Sequence, residues 1–422
     1  MKQEHRGIFG NRSFLDYFGM YLTSRSAFQV ASVGLIWIVY AVTHSALDVA
    51  IVGIANTAST VIVTLPAGVW VDRVNRRMLL LFSNVVSVAC LTMLTVLTIS
   101  RSFELIIVVV IVVVWAAAGE LYRSTSYAVL PDIVHAYELS NANGVTQSGN
   151  QIVNSISTVL GGGLIVIAGV TLTFVYGVAG YGLAALFSGF LAYRFRRTHL
   201  QIIPEVQTKR NMGKEIVEGF RWLVTQRGLL SLSLLALVFN FVFGIPTYFL
   251  VIYVTAALKA GAFLYGAILA IFAAGGGAGS LLAGRMSGAV AYAGKISILF
   301  WGVTGGSLLF LLGLVPSTVI ALTAILGIGL GLGVGNNVWL TSAQNLVPNE
   351  MRGRYFAIDG LLSFVGGPPA IAVGGILITL IGITRVFELS GALLLGSALV
   401  FAFMKSLWTL DGRAKEFHTS EL

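Results

Sequence analysis

The chain has 422 residues, of which 57% are hydrophobic and 10% are charged; soluble domains carry about 25% charged residues, so an ordinary soluble protein is excluded. The net charge of +9 is better explained by basic loops that orient a membrane protein than by nucleic-acid binding. The single cysteine, Cys90, excludes an internal disulfide and a cysteine-rich metal site.

Long apolar runs recur along the whole chain, and a bilayer core requires about 20 such residues in a helix. We therefore predict an all-α polytopic membrane protein with twelve transmembrane helices in two pseudo-symmetric six-helix bundles. Ser45-Ala-Leu-Asp48 has the form of a capping box, which predicts the start of the second helix. The predicted spans are 14–42, 49–69, 78–100, 103–122, 146–169, 171–193, 228–254, 262–283, 296–315, 318–341, 355–380 and 385–408.

Lys and Arg residues are concentrated in alternate connecting segments, which predicts the orientation of the chain. If the N-terminus is cytoplasmic, the Lys and Arg residues that lie on the outer side of the membrane are only Arg101, Lys259 and Arg385. Arg25 lies within the first span. This bias predicts a multi-pass protein of the cell (inner, cytoplasmic) membrane with both termini in the cytoplasm. The predicted domains are an N-terminal bundle (1–193), a cytoplasmic linker (194–227) and a C-terminal bundle with a cytoplasmic tail (228–422).

The linker contains apolar residues at helical spacing among charged ones, from Ile216 to Val224. This pattern predicts an amphipathic helix on the inner membrane surface, and the alternative is a partner-binding helix.

Short patterns also repeat between the two halves at a separation of about 215 residues, as a duplicated six-helix unit would leave. Such repeats are found in transporters with the substrate site between the halves. The repeated pairs are Gly68 with Gly284, Pro131 with Pro348, and Gly161 with Gly374.

Four charges crowd between the second and third spans, in the sequence "GVWVDRVNRR" that begins at Gly68. This sequence resembles the loop signature of the major facilitator superfamily, in which a glycine is followed by three residues, Asp-Arg and a basic cluster. "LPDIVHAYELSNAN", "VPNEMRGRYF" and "GSLLAGRMSG" resemble its drug-exporter branch, of the macrolide and enterobactin efflux type. The resemblance covers most of the chain and implies a secondary active transporter that works by alternating access.

In that superfamily the charged loop acts as a conformational latch on the outward-facing state. We expect the Asp72 carboxylate to contact the start of the eleventh span, because a helix N-terminus carries partial positive charge. A loop arginine is also a candidate partner for Glu120; alternatively, the arginines only anchor the topology on anionic lipid headgroups. The expected latch residues are Gly68, Asp72, Arg73, Arg76, Arg77, Glu120 and Arg354.

Polar residues within the spans are the candidates for a substrate cavity, because a charge at the bilayer centre costs about 2.5–3.5 kcal/mol. The resemblance implies that spans one, four, seven and ten line this cavity and that spans two, five, eight and eleven flank it. The amides have the alternative role of interhelical hydrogen bonding. The candidates are Arg25, Gln29, Asn150, Gln151, Asn154, Asn240, Tyr248, Asn336 and Asn337.

Asp359, about one turn into the eleventh span, is the candidate proton carrier; the alternative is a structural pair with an inner arginine. Two departures from the family argue against proton antiport. The fifth span lacks the Gly-Pro of antiporters, and Phe28 occupies the place where many exporters carry an acid in the first span. Proton coupling is therefore left open.

These observations predict a transporter, not an enzyme, that exports drug-like or amphipathic small molecules. We expect a monomer in contact with membrane lipids, with no cofactor, metal or nucleic acid. Arg25 suggests the alternative of a specific anionic metabolite, siderophore or lysophospholipid as cargo. A channel or a membrane-embedded transferase is the alternative class, although the five histidines are not paired at metal spacing and the sequence has no Walker loop.

Overall fold

The computed structural model contains helices and no strand over the residues that it describes. The chain divides into two compact units, unit 1 (Met1–Ile203) and unit 2 (Pro204–Leu422). The described residues are 8–135, 138–197, 212–286, 292–348, 351, 355, 358–359, 362, 366–405 and 407.

Unit 1 places six long helices in its described residues, after a short 3-10 helix (Ile8–Gly10). Small residues let these helices approach closely: a Cβ added to Gly180 would come within 2.9 Å of the Ala27 Cβ on the first helix. The helices are α1 (Arg12–Thr43), α2 (Ala46–Arg73), α3 (Arg76–Ile99), α4 (Leu105–Ile133), α5 (Leu139–Ala168) and α6 (Thr171–Arg197).

Unit 2 begins with a short helix and continues with long apolar ones. A three-residue helix (Leu250–Ile252) and a π-helical turn (Tyr253–Ala257) follow α8, and a π-helical segment (Ile298–Thr304) lies within α10. The helices are α7 (Met212–Thr225), α8 (Arg227–Tyr248), α9 (Ala262–Arg285), α10 (Ala293–Leu314), α11 (Thr318–Leu346), α12 (Gly367–Ile381) and α13 (Ile383–Ala402).

The two units use the same helix pairings. In unit 1, α1 packs against α5 and α6, α3 packs against α4 and α6, and α2 packs against α4. In unit 2, α8 packs against α12 and α13, α10 packs against α11 and α13, and α9 packs against α11. Each pairing in unit 2 therefore matches one in unit 1 when α8–α13 are set against α1–α6. The internal repeat predicted from the sequence is present in the fold.

Eleven helices of the described residues are long and apolar enough to cross a membrane, and the shorter apolar α12 provides a twelfth. Large apolar side chains are exposed on them; Ile106 is 79% and Ile167 is 81% exposed. Exposed apolar surface of this extent marks an interaction surface, and lipid is the one that fits helices of this length. The prediction of an all-α, polytopic membrane protein with two six-helix bundles is confirmed.

Helix boundaries differ from the predicted ones mainly at the helix ends that the sequence predicts to be cytoplasmic. The Ser45 hydroxyl accepts from the Asp48 N–H at 3.2 Å, so α2 begins at the predicted cap. However, α2 continues to Arg73, α4 continues to Ile133, and α5 begins at Leu139. Polar residues extend these helices beyond the apolar runs, because backbone hydrogen bonds in a helix do not depend on side-chain polarity.

Candidate functional site

Arg25 of α1 is held against α5 by neutral groups. Its Nε donates to the Asn154 Oδ1 at 2.9 Å, and its Cζ lies 5.5 Å from the centroid of the Phe28 ring. Within the described part of the chain, no salt bridge joins Arg25 to a carboxylate. The structure therefore brings two of the predicted cavity residues together, and it leaves the charge of the guanidinium without an acidic partner among these residues.

A second amide contact runs along the same pair of helices. The Gln29 Nε2 donates to the Thr158 hydroxyl at 3.0 Å, and that hydroxyl donates to the Asn154 carbonyl oxygen at 2.8 Å. The Oδ1 of Asn150 is buried and has no hydrogen-bond partner among the described residues. The amides of Gln29 and Asn154 thus form hydrogen bonds between α1 and α5, which is the interhelical role given as the alternative in the sequence analysis. The Asn150 Oδ1 keeps an unused acceptor position among the described residues.

Ser26 fixes the rotation of α1 beside Arg25. Its hydroxyl lies 2.7 Å from the Ser157 hydroxyl of α5 and 2.7 Å from the Tyr176 hydroxyl of α6. These three groups satisfy one another in an apolar environment, where an unpaired hydroxyl is costly. They hold the face of α1 that carries Arg25 in a defined position.

Unit 2 contains a buried carboxylate. Asp359 is 4% exposed, and its Oδ1 accepts from the Ser233 hydroxyl of α8 at 2.9 Å. The Ser233 oxygen also lies 3.3 Å from the Tyr355 hydroxyl. The two salt bridges found among the described residues do not involve Asp359, so the predicted alternative of a pair with an inner arginine is not seen there.

A cavity of about 60 Å³ adjoins this carboxylate. It brings together three predicted residues, Asn240, Asn336 and Asp359, whereas Tyr248 and Asn337 do not line it. Tyr248 instead packs edge-to-face on Phe249, with ring centroids 5.5 Å apart. The lining residues are Ala236, Phe239, Asn240, Trp301, Asn336, Trp339 and Asp359.

Ser233, Trp301 and Trp339 were missed by the sequence analysis. Trp301 stacks on Phe239 at a centroid distance of 5.5 Å, which is an ordinary core contact by its residue types. Serine and tryptophan side chains carry no charge, so nothing in their local sequence distinguishes them. Only the packing of α8, α10 and α11 reveals that they surround an acid.

The charged segment between α2 and α3 is tied to α4. Asn75 caps α3, and its Oδ1 accepts from the Arg77 N–H at 3.1 Å. The Nη1 of Arg76 donates to the Asp132 Oδ2 and to the Ala128 carbonyl oxygen, both at 3.0 Å. The sequence analysis did not predict Asp132 as a partner of the charged segment, although Asp132 lies in the "LPDIV" motif. Arg73, another predicted latch residue, is exposed.

Glu120 has a different partner from those considered in the sequence analysis. Its carboxylate pairs with Arg123 one turn later on α4, at 2.7 Å, and accepts from Thr64 of α2 at 3.0 Å. Arg123 is close because residues three apart share a helix face. In the described structure the Glu120 carboxylate is therefore bound by Arg123 and Thr64, and its predicted contact with a loop arginine stays a prediction.

Several predicted residues lie outside the described part. The structure describes only the backbones of Gly68, Asp72 and Gln151, in α2 and α5, and it does not describe Arg354. The latch of the sequence analysis therefore stays a prediction.

Comparison with known proteins gives a family and several similar folds. A sequence model described as Major Facilitator Superfamily matches residues 17–371. The chain is 24% identical over 284 residues to the uncharacterized MFS-type transporter YvqJ of Bacillus subtilis (strain 168). That alignment covers 66% of this chain and 65% of the relative, so the chain matches less than two thirds of the relative's length.

Solved transporter structures share the fold at low sequence identity. A bacterial homologue of the iron transporter ferroportin, in an inward-facing state, has a TM-score of 0.71 and 17% identity, and the alignment covers 93% of this chain and 98% of that one. A bacterial homologue of the human lysosomal transporter Spinster has a TM-score of 0.68 and 14% identity, with 95% and 96% covered. These likenesses concern the fold alone.

Proposed function

This chain belongs to the Major Facilitator Superfamily of transporters, and we propose that it exports drug-like or amphipathic small molecules by alternating access. The observation that supports this cargo is the small cavity of unit 2, which has room for one end of such a molecule and where Phe239, Trp301 and Trp339 provide apolar walls beside two amides and one acid. Sites for amphipathic ligands combine such walls with a few polar groups. The three sequence motifs that resemble drug exporters support the same cargo.

The test is counterflow in proteoliposomes loaded with the neutral amphipathic dye N-phenyl-1-naphthylamine. We expect saturable, protein-dependent exchange of labelled for unlabelled dye, with protein-free liposomes as the control. Saturation distinguishes a carrier from a channel. Exchange equal to that of the protein-free liposomes, for this dye and for a panel of amphipathic compounds, would refute the proposed cargo class.

Proton coupling through Asp359 is a further part of the proposal. Its support is the burial of a carboxylate whose one described hydrogen-bond donor is Ser233. Asp359→Asn keeps the size of the side chain and removes the proton-binding group. We expect this variant to lose accumulation driven by a proton gradient while it retains counterflow; equal gradient-driven accumulation in variant and wild type would contradict the coupling.

An anionic cargo is the second candidate, and the contacts of Arg25 favour it. The guanidinium has the amide oxygen of Asn154 and the ring of Phe28 as its described partners, and neither neutralises its charge. A cation within a membrane helix is costly unless it meets an anion, a cavity or water. An anionic headgroup would provide the missing partner.

Arg25→Gln tests this candidate, with Arg385→Gln as the matched control on the exposed arginine of α13. Binding of lysophosphatidylglycerol, which is anionic, is compared with binding of the uncharged monoacylglycerol of the same acyl chain. We expect the affinity for the anionic lipid alone to fall by about 10- to 150-fold, because a hydrogen bond to a charged group contributes about 1.5–3 kcal/mol. The expected stability change is about 1 kcal/mol or less. A large fall in unfolding temperature with equal loss for both lipids would make Arg25 a structural residue.

A further inference from the structure

The cavity of unit 2 has the charge of a cation site. Among the described residues, its lining includes the Asp359 carboxylate and no basic side chain. Asp359 accepts one hydrogen bond, from Ser233, and a carboxylate has about four lone-pair positions. Acceptor capacity therefore remains for a ligand that donates hydrogen bonds or carries positive charge, and an anion would be repelled.

The walls of the cavity favour an organic cation over a metal ion. Phe239, Trp301 and Trp339 contribute three aromatic side chains to seven lining residues. Aromatic faces attract ammonium groups, and aromatic cages are the common recognition site of alkylated ammonium. A divalent metal requires several oxygen, nitrogen or sulfur ligands, and no group of three His, Cys, Asp or Glu is found among the described residues.

The size and access of the cavity suit a headgroup rather than a whole molecule. Its volume is about 60 Å³, and one water requires about 10–15 Å³ of such space. Asn240 and Asn336 line the cavity and are themselves exposed, so the cavity is open on their side. A small ammonium group fits beside Asp359 while the apolar remainder of the ligand stays outside.

We propose that this cavity binds the ammonium group of an amphipathic amine, with Asp359 as its counter-charge and the three aromatic side chains as its walls. This inference rests on the proposed function, because it names a cargo class for the same transporter. It assigns Asp359 a direct contact with cargo, whereas proton coupling requires only that Asp359 exchange a proton.

The experiment measures binding of benzylamine, which is an ammonium ion at neutral pH, and of benzyl alcohol, its neutral near-isostere, to the purified full chain. We expect wild type to bind benzylamine at least tenfold more tightly than benzyl alcohol. Asp359→Asn is expected to reduce this ratio to below twofold. Glu388→Gln, which changes an acid of α13 that does not line this cavity, is the matched control and is expected to keep the wild-type ratio.

Trp339→Leu provides a second variant that keeps the carboxylate and removes one aromatic wall. We expect it to lower the benzylamine affinity severalfold and to leave that of benzyl alcohol within twofold. A wild-type ratio near one, or an equal ratio in Asp359→Asn and wild type, would overturn the proposed subsite. Counterflow of the neutral dye separates the two proposals. Dye exchange without preferential binding of benzylamine would refute the ammonium subsite alone. Preferential binding of benzylamine without exchange of the dye or of the compound panel would refute the transport function alone.

Discussion

Backbone contact between α9 and α11 depends on glycine, and Gly275→Ala tests it. A Cβ added to Gly275 would lie 2.7 Å from the Leu326 carbonyl oxygen and 3.1 Å from the Leu330 nitrogen. Optimal contacts between carbon atoms are at about 3.5–4.0 Å, so the helices must separate by roughly 0.5–1 Å at this point. Because both obstructing atoms belong to the backbone, no change of side-chain rotamer relieves the overlap.

The expected cost of Gly275→Ala is about 1–3 kcal/mol, which is the usual range for overpacking in a well-packed interface. The following two glycines provide controls on the same helix. A Cβ on Gly276 would lie 3.8 Å from the Gly329 oxygen, an ordinary contact, and a Cβ on Gly277 would meet nothing within 4 Å. All three substitutions gain about 0.5–1 kcal/mol of helix stability from alanine, so their differences isolate the contact with α11.

The assay is thermal unfolding in detergent, followed by tryptophan fluorescence and by the fraction of protein that remains monodisperse on size exclusion. Gly277→Ala is expected to match or exceed the wild-type unfolding temperature, Gly276→Ala to stay close to it, and Gly275→Ala to fall clearly below both. Equal unfolding temperatures for Gly275→Ala and Gly277→Ala would refute the reasoning, because the two differ only in what the added methyl meets.

Three further predictions concern the charged segment and the topology. Asp72→Asn is expected to impair counterflow with little change in unfolding temperature, and full transport activity in this variant would contradict the latch hypothesis. A double-mutant cycle with Arg76→Ala and Asp132→Asn is expected to give a coupling of about 1 kcal/mol or less, because both side chains are about one-third exposed; a coupling above about 2 kcal/mol would contradict this. A cysteine at Thr208 on a Cys90-free background is expected to react only from the cytoplasmic side, and labelling from outside would contradict the predicted orientation.

Hydropathy was sufficient to predict the membrane helices, because the bilayer imposes both length and composition on each span. It was insufficient where polar residues pair within the helices. Glu120 and Arg123 form an ion pair one turn apart on α4, and the helix continues to Ile133 although the apolar run ends earlier. The π-helical segment Ile298–Thr304 was also not predictable from the sequence, because a shift from i−4 to i−5 backbone hydrogen bonding does not require particular side chains.

The candidate site was predictable in its members but not in its contacts. Arg25 and Asp359 were identified because ionisable residues are rare in apolar spans, and that rarity is visible in the sequence alone. Their partners, Asn154 and Ser233, lie 129 and 126 residues away along the chain. Such contacts depend on the rotation and depth of each helix in its bundle, which local sequence does not specify.

The same helix pairing carries opposite charge in the two units. In unit 1 the Arg25 cation on α1 bonds to Asn154 on α5, and in unit 2 Ser233 on α8 bonds to the Asp359 anion in the segment before α12. The pairs α1–α5 and α8–α12 are equivalent in the internal repeat. Both charges are held by neutral partners in the described structure, although a pairing made only for stability would gain from a counter-charge or from an apolar pair. The charged group nevertheless lies on different members of this pair, because Arg25 belongs to the first helix of its unit and Asp359 precedes α12, the fifth helix of the repeat in its unit; what the two units share is a polar contact between these two elements.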